Sequence, residues 1–397
     1  MKKTLFLVVL ISTTLFASPH AKDYSAKAFI EEALRLSFTL KHSQLNVQQH
    51  QAELSYKSVW ENPNLEIGFD DRLGDSMEFS EVEFSQKIPT FNASANKKGE
   101  NQAHLEHSLE VQNQSRLNLK YQAAMLYYKL YYAQSALEIV ANQIKEIQKL
   151  LDVANAREAS GDISGVLGSR IKITYAQFLS KKQQLQELYA KLHKRAQYLL
   201  QTQEDIKPAL LLKLPAVFES IDLESDAKIL ALRAEVKAQR YVLADEKSKR
   251  YPLPELFVRL NKAEDFSGGG LRFSLPLWDQ NRAKVERNKI NIQQSTLSLR
   301  QMQLEIENSW LQQKELYISA NDQAEYYQKS VLKSAKKFYK TQMLLFKSGE
   351  NSLLELLDAQ EIYFDSQSSY NKLKERRDIY LLLTMKAASI NLSKDTK

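Results

Sequence analysis

The chain has 397 residues, with Lys+Arg 55 against Asp+Glu 48, a formal net charge of +7 and 43% hydrophobic residues. That is enough apolar material for one large or two ordinary domains and excludes a disordered chain. Cysteine is absent, which excludes a disulfide scaffold, a Cys-ligated zinc module and a thiol nucleophile. Only 10 glycines and 8 prolines break a sequence dominated by Gln, Lys, Glu, Leu and Ala, so long helices are the first expectation.

Residues 1–21 read as an address. Lys2 and Lys3 precede the apolar run Leu5 to Leu10, and small residues follow at Ala17, Ser18 and Ala21. This is the pattern of a signal peptide, and its apolar core is too short to cross a bilayer as a helix. The predicted mature protein is exported, and with no Cys near the cleavage region it carries no N-terminal lipid anchor. Without Lys2 and Lys3 the charge falls from +7 to +5, a diffuse surplus that does not point to nucleic acid. No later segment holds 18 consecutive apolar residues, so no transmembrane helix is predicted.

Gly and Pro fall in clusters, and the stretches 100–160, 169–207, 277–348 and 350–397 are free of both, which marks them as helices. Apolar residues step alternately by three and four, as in Leu137, Val140, Ile144, Ile147 and Leu151, and again in Ala320, Ala324, Tyr327 and Val331. That is the spacing of coiled-coil packing. Helices of about 60 to 70 residues reach roughly 90 to 100 Å. Periodicity alone is equally compatible with an ordinary antiparallel bundle or a fibrous coiled coil.

An internal repeat separates these readings. Around 50–99 the pattern runs helix, Pro63, alternating Leu65, Ile67 and Phe69, turn residues near Gly74, a second alternating stretch, Pro89, then a long helix. Around 240–285 it recurs: Pro252 and Pro254, then Leu256, Val258 and Leu260, a turn at Ser267 to Gly270, then Leu271, Phe273, Leu275 and Pro276. Pro89 and Pro276 are 187 apart, and Gly161 and Gly349 are 188 apart. Two landmarks agreeing to one residue indicate a tandem duplication. The predicted layout is a first repeat at 22–207 with a hairpin at about 64–88 and a turn at about 160–165. A linker at 208–220 follows, then a second repeat at 221–397 with a hairpin at about 255–277 and a turn at about 348–353.

Each predicted strand is about 9 to 11 residues, the length of a tilted transmembrane strand. Four strands cannot close a barrel, and hydrocarbon tolerates no open sheet edge, so several copies must share one; three copies give twelve strands. Trp60 and Trp278, at the hairpin edges, suit a membrane-interface girdle. Two soluble hairpins capping a bundle remain the competing reading.

The segment Phe273-Ser274-Leu275-Pro276-Leu277-Trp278-Asp279-Gln280-Asn281-Arg282 resembles the TolC family. So, above all, does Phe346-Lys347-Ser348-Gly349-Glu350-Asn351-Ser352-Leu353-Leu354-Glu355-Leu356-Leu357-Asp358-Ala359-Gln360. These are outer-membrane channels of tripartite efflux pumps and type I secretion systems, and the likeness covers essentially the whole mature chain. Asn62-Pro63-Asn64-Leu65 and the Pro276 to Arg282 segment also resemble the CzcC-like heavy-metal branch. The resemblance implies a mainly α fold with a small β part, a duplicated helix–β-hairpin–long helix–helix. It implies a homotrimer with a 12-strand outer-membrane β-barrel, set in outer-membrane lipid, and a periplasmic α-helical barrel.

The implied partners are a periplasmic adaptor (membrane fusion) protein and an inner-membrane RND or ABC transporter. The implied adaptor contact is the pair of turns, Gly161, Asp162, Ile163 and Ser164 with Gly349, Glu350, Asn351, Ser352 and Leu353. The implied gate is Glu355 and Asp358, three apart on one helix face, with Phe346 narrowing the closed mouth. Threefold symmetry would set six carboxylates around that mouth and favour cations. Some relatives carry an arginine in the tip turn; this chain has Asn351.

No catalytic, cofactor or metal site is predicted. His104 and His107 share a helix face but lack a third ligand, and no Gly-rich phosphate loop is present. The leading expectation is a passive export duct for small molecules or metal ions. The alternatives are a soluble periplasmic coiled-coil scaffold and, with no acid/base constellation to support it, a hydrolase.

Overall fold

The computed structural model describes residues 22–55, 60–70, 78–89, 92–161, 165–214, 220–262, 265–275, 278 and 280–392. The signal-peptide reading, Gly74, Asp162, Ile163, Ser164 and Pro276 lie outside them. In chain order the elements are β1 (Lys22–Ser25), α1 (Ala26–Leu36), α2 (Phe38–Ser55), β2 (Asn64–Asp70), β3 (Glu78–Lys87), α3 (Ala93–Ala159), α4 (Gly165–Leu199) and β4 (Ile206–Leu210). They continue with α5 (Ala227–Ser248), β5 (Leu253–Asn261), β6 (Phe266–Ser274), α6 (Arg282–Tyr326), a π-helical segment (Tyr327–Leu332), α7 (Lys333–Ser348) and α8 (Leu353–Ala387).

The duplication is visible in element lengths. Helix α3 has 67 residues and α4 has 35. In the second half α6, the π segment and α7 run on as 45, 6 and 16 residues, again 67, and α8 has 35. At 1.5 Å per residue each 67-residue stretch is about 100 Å long. The π segment interrupts the step from Ala324 through Tyr327 to Val331, so the heptad read there is locally overfull.

The chain divides into two compact units. One comprises 1–36, 122–214 and 319–379; the other comprises 37–121, 215–318 and 380–397. The first holds the interhelical turns and a core contributed by α3, α4, α7 and α8. Val140, Ile147 and Ala154 of α3, Ile171 and Phe178 of α4, and Leu357 and Phe364 of α8 are buried there, each helix repeating at seven. Phe178 and Phe364 meet edge-on at 5.9 Å.

A feature absent from the sequence reading is the parallel pair β1·β4, which ties Lys22–Ser25 to Ile206–Leu210. Buried Tyr127 clamps it: its hydroxyl donates to the Tyr24 carbonyl of β1 at 2.5 Å and accepts from the Ala209 N–H of β4 at 3.0 Å.

The second unit holds one antiparallel sheet in the order β2-β3-β5-β6. The two hairpins are joined through β3 and β5, with Glu83 opposite Arg259 and Val82 opposite Leu260. Asn281, in the left-handed region at φ 56, connects the sheet to α6 and donates its side-chain N–H to the Glu246 carbonyl at 2.9 Å. Asparagine tolerates that conformation better than most residues, which gives this position of the Phe273–Arg282 motif a structural role.

Candidate functional site

The four-stranded sheet has two chemically opposite faces. In β2, Leu65, Ile67 and Phe69 alternate with Glu66 and Gly68, and register carries the apolar side across the sheet: Leu65 faces Phe84, Phe84 faces Val258, and Leu256 faces Leu271. Leu65, Ile67, Phe69, Phe84, Leu256, Val258, Leu260, Leu271 and Phe273 are each 47–63% exposed. Nine half-exposed large side chains on one face would release about 10 kcal/mol if moved from water to an apolar medium. A solvated sheet face normally carries polar residues instead.

The other face is charged and internally paired. Arg259 bonds Glu81, Arg272 bonds Glu83 at 2.8 Å, and a second Arg272 nitrogen lies 3.5 Å from Glu255. Glu83, Ser85 and Asn261 are buried. Phe257 is an aromatic on this polar face, with the Arg272 guanidinium 4.8 Å from its ring centre. The glycine opposite leaves it room: a Cβ added at Gly270 would stand 3.3 Å from the Phe257 ring.

Among the described residues the outer strands β2 and β6 each pair on one side only, leaving two rows of backbone N–H and C=O groups open to another strand. Trp60 lies before β2, Tyr251 before β5 and Trp278 after β6. Strand order and register put all three at one end of the sheet, exposed by 53%, 70% and 97%. Tyr251 was not singled out by the sequence, although its place just before Pro252 could have flagged it.

The interhelical turns lie in the first unit. Gly161 and Gly349 both adopt left-handed φ, 80 and 81. At the second turn Gly349 N–H donates to the Phe346 carbonyl at 3.2 Å and Glu350 N–H to the Leu345 carbonyl at 2.9 Å, the bond pair of a Schellman cap. The first turn repeats the inner bond, Gly161 N–H to the Glu158 carbonyl at 3.1 Å. Side-chain space is open at both glycines, so backbone conformation, and not crowding, selects them. Asn351 hydrogen-bonds Gln342 of α7.

Ser352 caps α8. Its hydroxyl accepts the Glu355 N–H at 3.2 Å, and Ser352 N–H donates to the Glu355 carboxylate at 3.0 Å. Glu355, expected at a channel mouth, thus closes a capping box. Leu353, Leu356, Leu357, Ala359 and Gln360 of the same motif are buried, so its second half is largely packing.

Asp358 is likewise engaged: its Oδ1 lies 2.6 Å from Arg170 Nη2 on α4. Phe346 is half-buried against the core, with Arg157 4.9 Å over its ring. Two residues missed in the sequence therefore shape this end of the unit, Arg157 and Arg170. A third is Glu158, whose carboxylate lies against the start of α4: a Cβ added at Gly168 would stand 2.5 Å from its Oε2. A carboxylate suits a helix N-terminus.

The two repeats meet position for position along α4 and α8. Arg170 pairs with Asp358, Thr174 donates to Glu361 at 3.0 Å, and Lys181 reaches Ser368 at 3.4 Å, separations of 188, 187 and 187 residues. Among the described residues no group of three or more His, Asp or Glu is placed to hold a metal ion, and no helix is long and apolar enough to cross a membrane.

No protein-family model and no curated protein matches the sequence. Solved structures do. The open-state MtrE outer-membrane channel of Neisseria gonorrhoeae aligns over 94% of this chain and 90% of its own, with a TM-score of 0.79 at 15% identity. The outer-membrane protein VceC of Vibrio cholerae aligns over 93% and 97%, TM-score 0.77, 14% identity. CusC, described in terms of transmembrane channel formation, aligns over 92% of both chains, TM-score 0.74, 18% identity. This chain therefore has the TolC-like fold of outer-membrane channels, as the sequence resemblance implied.

Proposed function

We propose that the chain is one protomer of an outer-membrane channel, a passive export duct closed by three copies in the outer membrane of a Gram-negative bacterium. The observation that carries this reading is the sheet: an exposed apolar face, a paired polar face and two open edges in one chain. In hydrocarbon each unpaired backbone group costs several kcal/mol, so the edges of β2 and β6 must meet strands of other copies. Three copies supply twelve strands, an even number within the range of bacterial barrels. Apolar side chains then face lipid, the Arg–Glu ladder lines the lumen, and Trp60, Tyr251 and Trp278 sit at one lipid–water boundary.

The turns at Gly161 and Gly349, with Glu350, Asn351, Ser352 and Leu353, are the proposed docking point for a periplasmic adaptor, which would couple the duct to an inner-membrane RND or ABC transporter. Asp358 and Phe346 are proposed to border the periplasmic mouth. The Arg170–Asp358 pair neutralises one carboxylate per chain there, leaving Glu355 as the acid that biases the mouth toward cations. The cargo follows from the partner pump.

The test is reconstitution of the purified mature protein in planar bilayers. Discrete channels support the duct; a mature chain that is soluble without detergent and never inserts supports the scaffold reading instead.

A further inference from the structure

Between α3, α4 and α8 of the first unit lies a crevice of about 410 Å³, a size that suits a drug-like molecule. Its floor is apolar, formed by Ile139, Val140, Leu185, Leu188 and Leu192. Around it stand five cations, Lys129, Lys181, Lys191, Arg195 and Lys372, against one carboxylate, Glu375. Among the described residues, Lys129, Lys191, Arg195 and Lys372 make no ion pair. Lys181 has only Asp365, at 3.9 Å.

Burial pushes the Glu375 carboxyl up from its usual range, with Lys129 and Lys372 opposing that rise. Burial likewise pushes the Lys181 ammonium down, the nearby Asp365 opposing. An apolar slot ringed by five cations against one carboxylate is complementary to a molecule with an apolar body and a negative head.

We propose that this crevice binds an amphipathic organic anion, a carboxylate or sulfonate on an apolar frame, with Lys129 and Lys372 taking the head group and Leu185, Leu188 and Leu192 the body. The inference rests on three helices of one chain and does not depend on the channel reading.

The experiment titrates the full-length mature protein in detergent with pyrene-1-butyrate and with uncharged pyrene-1-butanol, following fluorescence anisotropy. The wild type is expected to bind the acid at least about tenfold more tightly than the alcohol, a preference that shrinks as salt rises. The K129Q/K372Q variant is expected to lose the preference while keeping the wild-type melting temperature. Leu188→Trp, which fills the floor, is expected to weaken both probes. Equal affinity for acid and alcohol, binding of neither, or an unchanged preference in folded K129Q/K372Q would each overturn the proposal.

Discussion

Arg170 Nη2 and Asp358 Oδ1 lie 2.6 Å apart, and the two residues occupy equivalent positions of the two repeats, 188 residues apart in sequence. The duplicated helices α4 and α8 have kept their register but diverged in charge, so that each supplies one half of an ion pair. Both side chains are about half exposed (46% and 49%), which limits the pair to roughly 0 to 1 kcal/mol of stability. Its larger effect is on local charge. Arg170→Gln should bare Asp358 and raise cation selectivity in bilayer recordings, with little change in melting temperature, while R170D/D358R should restore wild-type selectivity. Unchanged selectivity in R170Q would remove Asp358 from the mouth.

The Ser352–Glu355 box makes a separable stability prediction. Ser352→Ala should destabilise the fold by about 0.5 to 2 kcal/mol in chemical unfolding followed by circular dichroism. Glu355→Gln should cost less, because Gln also closes a capping box. Equal losses in the two variants would contradict the assignment.

At Gly161 and Gly349 the cost of a side chain is conformational. With open space around both, Gly349→Ala should lose roughly 1 to 2 kcal/mol from the left-handed backbone. Gly349→Asn should lose less. A measured loss well above that for alanine would show crowding by a partner at the turn, as adaptor binding or trimer packing requires, and would be read from assembled against dissociated protein.

His107, on α3 in the second unit, contacts the Ala231 carbonyl at 3.2 Å. Burial lowers its pKa below 6.5, with Glu235 opposing and His104 and His50 adding to the shift. The unfolded chain therefore binds the proton more readily than the folded one, and stability is complete above about pH 6.5 and falls as pH drops through and below it. Thermal melts from pH 8 to 5 should show this fall. His107→Gln, which keeps a donor but cannot titrate, should flatten that part of the profile; an unaltered profile would place its origin elsewhere.

Much of the fold was legible because it is repetitive. Pro89 and Pro276, and Gly161 and Gly349, are landmarks that survive duplication, and the alternation Leu65, Ile67, Phe69 speaks locally. What escaped depends on packing between distant segments. The β1·β4 pair joins residues some 180 positions apart through a strand containing Pro208, which reads as linker, and Pro is acceptable there because among the described residues the sheet has two strands, both of them edges. Arg170 had no reason to stand out until α4 lay in register against α8. The capping box of Ser352-Leu353-Leu354-Glu355 stands in plain sight in the sequence, alongside the mouth position that the resemblance implies for Glu355. The basic crevice needs three helices to exist at all.

In a channel protomer one face of the β2-β3-β5-β6 sheet meets lipid and the other meets water. Because the chain has no cysteine, single-cysteine variants at positions 256 to 260 can each be nitroxide-labelled in the reconstituted protein. Relaxation by oxygen, which concentrates in lipid, is then compared with relaxation by a water-soluble nickel complex. Strict alternation is expected, with labels at 256, 258 and 260 dominated by oxygen and those at 257 and 259 by nickel. Nickel dominance at all five positions would mean that this sheet face lies in water, and the channel reading would fall with it.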